Sequence, residues 1–299
     1  MPDTQTIRPR WPTPLKWTLL ALAGGWLAWR IVTLGMADHY AQELNEPEAA
    51  LNWDARHPGA NLALGLRKPA QDPEASLAYL QAAIEANPAD GRAYAALGRL
   101  LESRGEAERA RTAMETAARL SPQRSDVQME VASWWMRQGD LERALQHWNT
   151  VLRHRGDLRA QLFPELLKLA ADPAHHAAFM PLLQQQVTWW PAFFTLAARQ
   201  APEVNTVRVL FNLQQGGPNA PTPEMLRAYL DRLQKDGEWL EAWFVWLNTL
   251  PKEQVGKVGY LYNGSFETPL TNLGFDWIVQ KHPAVSLDTA STYDTSGER

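Results

Sequence analysis

Small and bulky apolar residues return every 34 positions along the middle of this chain. Ala110 recurs as Ala144, Met114 as Trp148, Ala117 as Val151, and Pro88 as Pro122. A beat of that length marks an array of helical hairpins, one supersecondary unit per period. A single hairpin cannot bury its apolar face alone, so the copies must stack. Such an array presents a surface that grips another molecule. It points to a binding scaffold rather than a centre of bond-making chemistry.

The best copy spans 91–124, GRAYAALGRLLESRGEAERARTAMETAARLSPQR. Tyr94, Leu97 and Leu101 fall on one helical face, with Ala96 and Leu100 beside them. Arg104-Gly105 breaks that helix. A second helix over 106–120 turns Ala110, Met114 and Ala117 inward, and Ser121-Pro122 ends it, because the residue before proline avoids the helical region. The order Tyr94, Leu97-Gly98, Leu101, Ala110, Met114, Ala117, Pro122 resembles the tetratricopeptide repeat, with Leu101 in place of the family's second aromatic. The next copy, 125–158, carries Val131-Ala132, Trp135, Ala144, Trp148 and Val151. The preceding copy, 57–90, fits in its second half through Leu80, Ala83 and Pro88, whereas Pro69 and Pro73 cut its first helix near 62–66. A lone helix over about 38–53 leads into it. Beyond 158 the period loosens into helices over 158–171, 174–187, 191–201 and 203–214, followed by a loop at 215–223. The pattern returns in 223–256, where Gly237 to Trp246 aligns with Gly139 to Trp148. The fold class expected is all-α: a tetratricopeptide-like solenoid of about six hairpins over 38–256.

Ahead of the array, residues 17–36 read WTLLALAGGWLAWRIVTLGM. About 20 apolar residues suffice to cross the hydrocarbon as a helix. Arg30 lies toward the far end, where it can snorkel to the interface. Arg8, Arg10 and Lys16 precede the segment, and Asp38, Glu43, Glu46 and Glu48 follow it. Basic flanks stay in the cytoplasm. The expectation is a cytoplasmic tail (1–16), a transmembrane anchor (17–36) and a bulk outside: in a bacterium, a single-pass inner-membrane protein facing the periplasm. Two other readings remain open. One is a cleaved signal peptide ending at Gly35-Met36-Ala37, although its apolar region exceeds the usual length. The other is a buried helix of a soluble protein.

From 258 the texture changes to Thr, Ser, Asn, Gly and aromatics without helical period. That is strand-and-turn composition. Asn263-Gly264-Ser265-Phe266-Glu267 followed by Phe275-Asp276-Trp277 resembles the opening strand of carbohydrate-binding jelly-roll modules. A full sandwich needs about 100 residues. The expectation for 258–299 is therefore a short β-rich tail, either the start of a truncated jelly roll with a glycan ligand or a small cap on the last helices. Anchor, array and tail together resemble proteins associated with bacterial exopolysaccharide or O-antigen assembly.

Composition removes several function classes. The chain has no cysteine, which excludes disulfide frameworks, zinc knuckles and thiol chemistry. Its net charge of −4 gives no reason to expect nucleic acid. His175-His176 are adjacent, a poor arrangement for ligating a metal from a helix. Glu241 with Asp236 and Glu238 lies at a hairpin turn, where carboxylates are solvated. No phosphate loop and no Gly-x-Ser-x-Gly is present. No enzymatic activity, cofactor or metal is expected. Of the pairs Trp134-Trp135 and Trp189-Trp190, one member each is read as core, with Trp134 spare. The family resemblance implies a concave groove lined by the first helices of successive hairpins. Here it would show Arg92, Ala95, Arg99 and Glu102, then Met129, Ser133, Met136 and Arg137. Arginines give forked contacts to carboxylates and methionines adapt to irregular partners. The partner expected is an acidic, hydrophobic peptide segment of an envelope-assembly protein. The alternative function is glycan binding by the tail.

Overall fold

The computed structural model describes residues 13–67, 72–215, 220–256, 258–266 and 268–280. Every regular element among them is helical. The chain divides into two compact units, 1–134 and 135–299.

The first unit opens on α1 (Thr13–Asp38), which runs on through a π-helical turn, His39–Glu43. The stretch Leu15–Glu43 is long and apolar enough to cross a membrane. Its side chains are bare within the protein: Leu20 is 66% and Ile31 70% exposed. Asn45 (φ 56°) reverses the chain into α2 (Pro47–Trp53). The lead-in helix expected over 38–53 is thus shorter, since Asp38 belongs to the end of α1. The far end of α1 is docked, with Thr33 and Ala37 buried. Asp38 accepts from Nε2 of the buried His57 at 2.9 Å, and His57 Nδ1 accepts the amide of Ala60 at 3.0 Å. Those two bonds fix the tautomer and tie α1 to α3 (Pro58–Arg67).

α4 (Pro73–Ala86), α5 (Gly91–Ser103), α6 (Ala107–Leu120) and α7 (Ser125–Arg137) follow. Pro73 does not cut a helix; it opens α4 at a position where its missing N–H costs nothing, with Asp72 capping Ala75 N at 2.9 Å. The core of this unit joins Leu62, Leu80, Ala83, Ala93, Ala96 and Leu100. Ser76 Oγ donates to the Gly65 carbonyl at 2.6 Å, a buried tie between α3 and α4.

The second unit takes over within α7 and contains α8 (Leu141–His154), α9 (Arg159–Ala171), α10 (His176–Leu183), α11 (Trp190–Gln200), α12 (Val204–Gln215), α13 (Pro223–Lys235), α14 (Trp239–Leu247) and α15 (Lys252–Val255). One device recurs in both units. Gly105, Gly139 and Gly237 take φ of 76°, 77° and 84°. After each, an amide returns to the carbonyl five residues back: Glu106 to Leu101 (2.9 Å), Asp140 to Trp135 (3.0 Å), Glu238 to Leu233 (2.8 Å). These are Schellman closures of the first helix in a hairpin, and only glycine takes that backbone without strain.

Two readings of the sequence need correction here. The β-rich tail is not supported: among the described residues after 257 there is no strand. Asn263, Phe266, Asn272 and Gly274 all take positive φ, so the chain reverses too often to extend. Its backbone groups are also taken by side chains. Asn263 exchanges two bonds with Thr268 (2.8 and 3.1 Å), and the buried Asp276 accepts from Thr271 N and Oγ1 at 2.6 and 2.7 Å. Side-chain bonds of this kind compete with a strand ladder. Phe275 and Tyr262 pack on Trp246 of α14, which makes this segment a turn-rich cap. The rest of the expected tail, 281–299, lies outside the described residues. The second correction concerns tryptophan. Both members of each pair are core: Trp134 is 2% exposed, Trp135 5%, and Trp189 and Trp190 1% each. Trp189 donates to Asn149 at 3.0 Å and Trp190 packs on Phe193 and Phe179, so the buried face is wider than one helical stripe.

Candidate protein-docking surface

The residues expected to line the groove sit on α5 and α7. Asp90 caps α5 by accepting the Arg92 amide at 3.0 Å. The same carboxylate takes the Arg92 guanidinium in a fork, at 3.0 Å to Nε and 2.6 Å to Nη2. Burial alone would raise the Asp90 carboxyl, but the bonds from the Arg92 side chain and amide outweigh it and hold the group below its ordinary range. Arg99 meets Glu130 of α7 at 3.3 Å. Ser133 Oγ donates to the Met129 carbonyl of its own helix at 2.9 Å. Ala95 is buried, Glu102, Met129 and Met136 are half-buried, and Arg137 is exposed. Met136 and Arg137 fall in the second unit. In the first unit, Arg92 and Arg99 therefore already hold carboxylates of the same chain.

Of the carboxylates at this turn, Asp236 and Glu238 are exposed as expected, but Glu241 is part-buried and bound. Glu241 receives Arg208 of α12 through Nε (3.0 Å) and Nη2 (2.6 Å), and the Tyr229 hydroxyl of α13 at 2.6 Å. The Arg208 bond is the main reason the Glu241 carboxyl is lowered. Burial first, and then Glu241, push the Tyr229 hydroxyl far above its ordinary value. One carboxylate thus clamps α12, α13 and α14. Asp236 pairs with the buried Arg232 at 2.5 Å. His175 and His176 each bond a carbonyl near the end of α9, Leu169 O at 3.3 Å and Ala170 O at 2.9 Å. No cluster of three or more potential metal ligands occurs among the described residues.

The helices expected over 191–201 and at the start of 223–256 are α11 and α13. Arg227, Asp231 and Lys235 stand four residues apart along one face of α13, a charged stripe visible from spacing alone.

Residues 70–133 match the tetratricopeptide repeat family. That span holds α4, α5, α6 and most of α7, all in the first unit. No curated protein matches the chain. The matched segment is a tetratricopeptide repeat region, the class whose arrays generally bind other proteins.

Proposed function

We propose that this protein is a membrane-held scaffold whose helical array docks segments of other proteins and carries out no chemistry of its own. One observation supports the reading above the rest: a bare apolar helix is fixed by the Asp38–His57 bond to the start of α3, in the same compact unit as the matched repeats. In this reading the exposed apolar surface of that helix is covered by lipid. The basic residues before it and the acidic ones after it favour an array outside the cytoplasm. The process served is envelope polysaccharide assembly, a reading that rests on the resemblance of anchor and array alone. In the first unit, Arg92, Arg99, Glu102, Met129 and Ser133 would form a docking face. There a ligand's carboxylates must displace Asp90 and Glu130, which favours selectivity over affinity.

The test is crosslinking in cells followed by affinity purification of the full chain from membranes. The expected result is a discrete protein partner from the assembly machinery. A chain that pellets with membranes but retains no partner overturns the scaffold. A chain recovered in the soluble fraction overturns the anchor.

A further inference from the structure

In the second unit a cleft of about 810 Å³ lies between α11 and α13. That size is typical of ligand sites. Its floor is made of small side chains, Ala192, Thr195 and Ala198 from α11 and Ala228 from α13. Thr195 already donates its hydroxyl to the Pro191 carbonyl at 2.8 Å. A floor so shallow lets the main chain of a ligand come close.

The rim is charged, and its charges do not balance. Arg199, Arg227 and Lys235 are exposed and form no ion pair within 4 Å among the described residues. Arg232 beneath them is saturated, since its Nη1 donates to Ala198 O (3.1 Å) and Ala201 O (2.8 Å) and its Nε to Asp236. Two carboxylates share the rim. Glu224 is occupied at the start of α13, where its own amide and the Thr222 hydroxyl hold it below its ordinary range. Asp231 stands between the cations; burial raises its carboxyl, against the pull of Arg227 and Arg199. At the head of α11 a smaller cavity of about 200 Å³ shares Pro191 with the cleft. Trp190 lines it and is buried.

We infer that the α11–α13 cleft receives an acidic segment of a protein partner, with its carboxylates on Arg199, Arg227 and Lys235 and its backbone over the alanine floor. The inference deepens the scaffold reading and rests on it. It also moves the strongest electrostatic grip away from the first unit, where Arg92 and Arg99 are already paired.

The test uses the full chain in nanodiscs of neutral lipid and a fluorescein-labelled decapeptide of alternating glutamate and alanine, read by anisotropy. Saturable binding is expected, weaker as salt rises because the contacts are partly screened. Arg199→Glu with Arg227→Glu should weaken it by at least about tenfold, since forked cation–carboxylate contacts are lost and replaced by repulsion. Asp231→Asn should tighten it severalfold, an effect that a merely structural Asp231 would not give. Arg111→Glu, on α6, should leave it unchanged. If the double reversal unfolds the unit, Arg199→Gln with Arg227→Gln is the milder pair, and circular dichroism decides between them. Absence of saturable binding, or binding indifferent to both pairs, overturns the inference. So does displacement by an oligomer of galacturonic acid at lower concentration than by unlabelled peptide, which would give the cleft to a polyuronate. A chain that retains a protein partner in membranes but ignores the peptide refutes the cleft and leaves the scaffold. Loss of both refutes both.

Discussion

The hairpin register can be tested at Gly98. A β-carbon there would stand 2.9 Å from Met114 Cε and Cγ and 3.1 Å from Sδ. Met114 is fully buried, so it cannot swing into solvent. Gly98→Ala sets two effects against each other: better helix propensity gains about 1 kcal/mol, and overpacking costs about 1–3 kcal/mol. The net expectation is a loss of about 1 kcal/mol. Met114→Ala alone leaves a cavity and costs about 2–5 kcal/mol. Combined, the two changes should not add. With Met114 shortened the clash disappears and only the helix gain remains, so the double variant should be more stable than the sum by about 1–3 kcal/mol. The assay is urea unfolding of the full chain in detergent micelles, followed by far-ultraviolet circular dichroism. Additivity within about 0.5 kcal/mol would show that α5 and α6 do not meet through this pair. The register derived from the 34-residue period would then be wrong.

Other outcomes follow from the second unit. Arg232→Met strips partners from Ala198 O and Ala201 O and leaves Asp236 without its cation; a loss of about 3–5 kcal/mol is expected, and an unchanged melting temperature would contradict the buried placement. Gly274→Ala puts a β-carbon 2.5 Å from Trp246 Cδ1 at a φ of 60°. The cap over α14 should detach, which limited proteolysis reads as faster cleavage between 256 and 280. Burial depresses the His147 imidazole below its ordinary 6.5. The unfolded chain therefore takes up this proton first as pH falls, so stability should drop from about pH 6.5 downward and be independent of this group above it. His147→Gln should flatten that part of the curve, and identical curves would exclude the effect.

Local chemistry carried most of the first unit into view. Small residues at 96, 110 and 117 and the glycine at 105 dictate a close helical pair, and spacing alone places them. The alignment of Gly237 to Trp246 with Gly139 to Trp148 placed the α13–α14 turn, where the left-handed closure needs glycine. Local reasoning failed after 257, where Asn, Thr and aromatics suit strands by propensity but here bond their own backbone instead. Strand propensity mostly reflects packing on neighbours, and the neighbour in this case is a helix. The docking face was legible as positions and not as energetics. Nothing in the spacing of Arg92 and Arg99 says that Asp90 and Glu130 will hold them. Nor does the spacing of α13 say that Arg199 will stand across a cleft from Arg227, since that depends on packing between hairpins whose period has drifted.

The membrane claim underlies everything else, and the chain is suited to a direct test because it has no cysteine of its own. Thr4→Cys and Gln123→Cys each introduce one thiol, the second in the exposed turn between α6 and α7. Intact cells with a permeabilised outer envelope are treated with a maleimide that cannot cross the inner membrane. The expected result is that the thiol at 123 is labelled at once and the thiol at 4 only after detergent. Labelling of 4 but not 123 would reverse the orientation and contradict the proposed location of the scaffold. Labelling of neither until lysis would place the array inside the cell.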